Sequence, residues 1–143
     1  MKIGLYSKLA RHYIVKVRDI IKARKLSPNK SEMIRLRNEI IESSDNTFNS
    51  LQNFGDFYSL SELRDLLFHV QEHRFTIPEI SEILDKLGLD FMGFELSDKM
   101  TTKAFEAAYP GEGAIYELEK WHEYEKLNPT VFSGMYQFWL QKL

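Results

Sequence analysis

The stretch from Thr76 to Leu96 constrains this chain more than any other. Thr76-x-x-Glu79 is a capping box, and Pro78 stands in the first turn of the helix it opens. Ile77, Ile80, Ile83, Leu84 and Leu87 recur at helical spacing, and Gly88 supplies a left-handed stop. Phe91, Met92, Phe94 and Leu96 follow in a run too short for another helix between Gly88 and Ser97. A helix therefore runs directly into a strand.

The other segments are read in the same way. Lys2 to Tyr6 reads as a short strand with Ile3 and Leu5 on one face. Ser7 can cap a helix over 8–25, whose apolar stripe includes Leu9, Tyr13, Ile14, Val17 and Ile21. Ser27-Pro28 opens a second helix carrying Met33, Leu36 and Ile40. Ser43 to Asn53 is polar and reads as a loop, with room for a short helix around Leu51. Ser59-x-x-Glu62 is another capping box, ahead of Leu63, Leu66, Leu67 and Val70. Helices are expected over 98–109 and 114–127, stopped by Pro110-Gly111 and Asn128-Pro129. The tail from Gly134 to Leu143 suits either a last helix or an aromatic strand.

Composition narrows the class. With 43% hydrophobic and 28% charged residues, the 143-residue chain is folded rather than disordered. It has no cysteine, which excludes disulfides and thiolate metal sites. No apolar run approaches the roughly 20 residues of a membrane span, and Met1–Leu5 does not make a secretory signal. A cytoplasmic location and no membrane partner are expected.

Charge is divided unevenly. Residues 1–37 hold eleven Lys and Arg against Asp19 and Glu32, while the remainder holds eight against nineteen acids. The basic segment 1–37 could meet nucleic acid or a phosphate-rich substrate. Equally, it is a solvated helix face that offsets the acidic remainder, since no aromatic or glycine-rich RNA-binding motif accompanies it.

Several segments together resemble a known family. Met1-Lys2-Ile3-Gly4-Leu5-Tyr6-Ser7 looks like the fifth strand of a class I S-adenosylmethionine-dependent methyltransferase. Phe75-Thr76-Ile77-Pro78-Glu79-Ile80 through Leu87-Gly88-Leu89 to Phe91-Met92-Gly93-Phe94-Glu95 is similar to that family's following helix and sixth strand. Met135 to Lys142 looks like its antiparallel seventh strand. Phe57-Tyr58-Ser59, the segment Arg64 to Arg74, and the ending from Trp121-His122 to Trp139 resemble a bacterial subgroup often fused to tetratricopeptide repeats.

The resemblance implies the C-terminal half of a Rossmann-like methyltransferase: one domain over 1–143, with a helical insertion roughly over 8–87. The expected fold is α+β and predominantly helical, with about six helices. Its small mixed sheet has three strands, near 2–6, 89–95 and 135–141, the last antiparallel between the other two. One edge of the first strand should then be unpaired. The family's cofactor turn is glycine-rich, and no G-x-G follows a strand here. No cofactor site is expected in this chain; S-adenosylmethionine is implied only for the full-length family. The implied partner is the missing N-terminal half or a second copy of the chain.

His69-x-x-Glu72-His73 is the most provocative string. It has the inverzincin spacing, with two histidines on one helix face, but zinc would need a third ligand and an open water position. Under the resemblance, His69, Glu72, His73 and Arg74 line a substrate pocket, joined by Tyr6, Ser7, Asp56 and Tyr58 beside Phe57. A histidine there could act as general base and Arg74 could hold an anionic group. The plain alternative is that both histidines are surface or core residues; His12 and His122 are expected to be structural. Trp121, Tyr124, Tyr136, Phe138 and Trp139 could stack a flat substrate, though such clusters are more often core. Three functions stand: a methyltransferase substrate-recognition segment inactive alone, a stand-alone helical interaction or regulatory module, and a zinc hydrolase.

Overall fold

The helical period read in the first forty residues is realised as two helices of 13 residues each, α1 (His12–Arg24) and α2 (Lys30–Glu42). The computed structural model describes residues 1–68 and 71–143. Two units make up these residues. One is Arg11–Glu72; the other joins Met1–Ala10 to His73–Leu143.

The first unit is helical. After α1 and α2 come α3 (Asn46–Gln52), a 3-10 turn at Gly55–Phe57, and α4 (Leu60–Phe68). Tyr13, Ile14 and Val17 of α1, Leu36 and Ile40 of α2, and Leu63 and Leu67 of α4 share one buried core with Leu51 and Phe57. Burying such side chains contributes roughly 1.5–3 kcal/mol each, which is what holds four short helices together.

Two boundaries differ from the sequence reading, and the short helix for which it left room around Leu51 is formed. The first helix starts at His12 rather than at residue 8, because Lys8 N–H is still bonded to Phe75 O and Ser7 Oγ is taken by Ala10 N–H. The second starts at Lys30, not at Ser27-Pro28, because the Asn29 side chain accepts the Glu32 N–H at 2.9 Å. The polar stretch 43–53 holds α3, capped by Asp45 on the Thr47 N–H. That helix makes seven α-helices among the described residues where about six were expected.

The second unit is a four-stranded sheet with helices. Its strands are β1 (Lys2–Ser7), β2 (Arg74–Phe75), β3 (Leu89–Phe94) and β4 (Tyr136–Lys142), in the order β2-β1-β4-β3. β4 is antiparallel to both β1 and β3, with Ile3 opposite Phe138 and Phe91 opposite Leu140. The ambiguous tail is thus a strand between the other two. The expected three-stranded sheet gains β2, which pairs parallel to β1 at Tyr6–Arg74 and Ser7–Phe75. The outer edge of β1 is therefore covered at its C-terminal end, not bare throughout.

α5 (Ile77–Leu87) carries the complete Thr76–Glu79 capping box, and Gly88 stops it at φ 63. Gly93, at φ 109, sits where the β3–β4 register shifts between Phe91 and Phe94. That bulge sets Phe94 against Trp121, Phe132 and Phe138. α6 (Lys99–Ala108) is capped by Asp98. The helix expected over 114–127 divides into a 3-10 turn at Ala114–Tyr116 and α7 (Leu118–Leu127), because Glu117 is extended. Phe105 and Trp121 stack at 3.7 Å in the core, with Tyr124, Tyr136 and Phe138 also buried. Of the five aromatics that could have stacked a substrate, only Trp139 is exposed, at 47%.

Candidate functional site

In the helical unit, Glu72 meets two arginines seven residues apart, Arg11 at the N-cap of α1 and Arg18 within it. Arg11 Nε and Nη2 donate to Glu72 Oε1 and Oε2, both at 2.8 Å. Arg18 Nη2 donates to Oε2 at 3.0 Å and to Leu66 O at 2.7 Å. The Glu72 side chain is only 5% exposed. Burial pushes its pKa up, but the hydrogen bonds and charges of Arg11 and Arg18 together hold it below the usual glutamate value. Glu72 is an ionised, occupied carboxylate and not a base open to substrate. His69 lies outside the described residues, and His73 is exposed. Among the described residues, no three His, Asp or Glu side chains gather as metal ligands.

In the sheet unit, Ser7 is fully buried at the end of β1. Its Oγ donates to Glu125 Oε1 at 2.5 Å and accepts the Ala10 N–H at 3.0 Å. Tyr136 OH reaches both Glu125 oxygens at 2.9 and 2.8 Å. Glu125 is 1% exposed, and burial raises its pKa against the opposing bonds from Ser7 and Tyr136. Burial also raises the Tyr136 phenol. Ser7, expected to line a pocket, ends β1 as one side of a buried polar centre with Glu125. Glu125 was missed. The signal was present: it follows Trp121 by four residues, on the apolar stripe of α7.

The remaining candidates are spread out. Tyr6 and Arg74 are neighbours across the β1–β2 pairing. Tyr58 is 57% exposed, donates its hydroxyl to Gln52 O at 3.1 Å, and packs edge-on against Phe57. Asp56 is exposed in the 3-10 turn. His12 is exposed beside Tyr13, and burial lowers the pKa of His122, whose Nδ1 has no hydrogen-bond partner among the described residues. In neither unit do the candidates converge on one cavity.

A cavity of about 230 Å³ does open in the sheet unit, at the carboxyl end of β3. Glu95, Ser97 and Asp98 reach it from the β3–α6 connection, Thr101 from α6, Ser133 and Gly134 from the turn before β4, and Gln137 from β4. The backbone closes its floor, with Glu95 N–H on Gln137 O at 2.7 Å. Glu95 is oriented from outside: Lys2 Nζ donates to Oε1 at 2.7 Å and Trp139 Nε1 to Oε2 at 2.9 Å. Those donors hold the carboxyl below the usual glutamate value. Sequence reasoning did not single out these residues as a site, because they come from two stretches about thirty residues apart, 95–101 and 131–137. Among the described residues, no helix is long and apolar enough to cross a membrane. No family model matches the chain, and no curated protein matches it.

Proposed function

We propose that this chain is the substrate-recognition and lid segment of an S-adenosylmethionine-dependent methyltransferase, acting in the cytoplasm and not competent for catalysis alone. The observation that carries the reading is the sheet order: a C-terminal strand, β4, antiparallel between two strands, β1 and β3, that run parallel to each other. In open sheets with parallel strands, ligands sit beyond the carboxyl ends of those strands. The cavity beyond β3 is the acceptor site in this reading.

The cofactor does not fit the residues present. The connection after β1, Lys8 to Arg11, has no glycine, so its backbone lacks the freedom to wrap a nucleotide closely. Ser7 before it is buried and bonded to Glu125. In this reading a separate segment holds the cofactor and pairs with β1. Met1 and Leu140 exchange backbone bonds, so alternation turns the N–H and C=O of Lys2 and Gly4 to the outer edge, ahead of the β2 pairing. A second copy of the chain is the alternative occupant.

Two experiments test this. Calorimetric titration with S-adenosylmethionine, with light scattering on the same sample, is expected to show no binding by the folded chain; micromolar binding would refute the missing cofactor site. Mixing the chain with the cofactor-binding half of a methyltransferase from the resembled subgroup is expected to restore labelled-methyl transfer. A mixture that stays inactive, although the halves associate, overturns the reading.

A stand-alone helical interaction module is the second reading. It is favoured by the helical unit's own core and by the Arg11–Glu72 pair joining its two ends. Residues 11–72 expressed alone would then unfold cooperatively; a disordered fragment removes this support.

A further inference from the structure

The cavity beyond β3 has a chemistry that its place in the fold does not require. None of its lining residues is Lys, Arg or His, so nothing in it would hold a phosphate or carboxylate. Its two carboxylates are already engaged. Glu95 has Lys2 and Trp139, and Asp98 accepts from Met100 N–H at 2.8 Å and from the Thr101 hydroxyl at 3.4 Å. Lys2 offsets the charge of Glu95, while Asp98 keeps its charge and is held by neutral donors at the start of α6. What remains is hydrogen-bonding capacity of both signs. Among the described residues, the Ser97 and Ser133 hydroxyls and the Gln137 amide hold no hydrogen bond. Each of these groups both donates and accepts. That is the complement of a ligand made of hydroxyl groups, since every hydroxyl also does both.

An aromatic ring stands beside the cavity. Gln137 and Trp139 are two residues apart on β4, so they share a face at a spacing of about 7 Å. Trp139 is 47% exposed, although it is the larger of the two tryptophans' surfaces to reach solvent and lies in a strand whose Phe138 and Leu140 are buried. Its indole N–H is fixed on Glu95, a wall of the cavity. The ring is thus held in one orientation and about half exposed, which suits contact with the apolar C–H face of a sugar ring. Gly134 is among the lining residues, and a Cβ there would meet nothing within 4 Å.

We propose that this cavity binds a neutral saccharide, with Ser97, Ser133 and Gln137 on its hydroxyls and Trp139 against its ring. The proposal rests on the reading of the cavity as the acceptor site.

Saturation-transfer NMR of the full chain tests it, with methyl α-glucopyranoside, methyl α-mannopyranoside and N-acetylglucosamine as probes at millimolar concentration. Putrescine serves as a directly observed cationic comparison, and inorganic phosphate, which has no C–H protons, is read by its displacement of the saccharide signal. Transfer to at least one saccharide is expected, with its affinity reduced about tenfold by Trp139→Ala, the loss of roughly one aromatic contact. Gly134→Leu should weaken it by adding a bulky side chain to the lining; φ at Gly134 is not in the left-handed range, so this variant is unstrained. Circular dichroism confirms that each variant folds. No transfer to any saccharide, stronger binding of phosphate or putrescine, or transfer unchanged in both variants would each overturn the proposal. Because no methyl transfer is read, saccharide binding by a chain that fails the mixing experiment would separate this inference from the methyltransferase reading.

Discussion

Arg11 and Glu72, the first and last residues of the helical unit, meet in a bidentate ion pair with both contacts at 2.8 Å. Their side chains are 6% and 5% exposed, so the pair closes a loop of about sixty residues inside protein rather than in water. A buried pair of this kind is costly to form and more costly to break, because removing one partner strands the other's charge.

Glu72→Gln is therefore expected to destabilise the chain by about 3–5 kcal/mol in urea unfolding, whereas Arg11→Met combined with Glu72→Leu costs less. A loss below 1 kcal/mol for the single variant would mean the pair is not buried as described. Acid should act in the same direction. The folded pKa of Glu72 is lowered from 4.5, so its contribution is complete above that value and is lost as pH falls through the folded value. The Gln variant should lack this acid sensitivity.

Glu125 has the opposite sign. Its folded pKa is raised above 4.5, so stability from its protonated form is complete below the unfolded value and is lost as pH rises through the folded one. Glu125→Gln keeps a side chain that Ser7 and Tyr136 can still reach, without a charge to bury. Unfolding midpoints across pH 4 to 8 should show the wild type weakening toward neutrality and this variant holding level. Tyr136→Phe leaves the carboxylate one donor short and is expected to cost about 1–3 kcal/mol at neutral pH.

Lys25 ends α1 with φ 52, the only positive-φ residue besides glycine among those described. A side chain in that conformation costs roughly 1 kcal/mol relative to glycine. Lys25→Gly should raise stability by about that amount in thermal unfolding, while Gly88→Ala, at φ 63, should lower it similarly. An unchanged midpoint for both would contradict the left-handed caps.

Much of the fold was legible because its signals are local. The Thr76–Glu79 box and Gly88 fix both ends of α5 from residues within four positions of each end. Asp98 likewise announces α6. The short strand β2 was not legible: Arg74 and Phe75 are extended only because β1 lies beside them, and two residues carry no period. The surroundings of Glu72 were not legible for a related reason. Spacing brought Glu72 to notice, but its partners Arg11 and Arg18 come from more than fifty residues away.

By itself, then, the sequence determined where helices begin and stop, because caps, prolines and glycines act through bonds spanning three or four residues. Only the tertiary structure decided that the tail is a strand. Met135 to Leu140 suits two conformations, and β1 and β3 select one by supplying the backbone partners on both sides of β4. The same holds for the two closed polar centres. Ser7 meets Glu125 across 118 residues and Arg11 meets Glu72 across 61, distances over which no local pattern carries information and only the packing of the core brings the groups together.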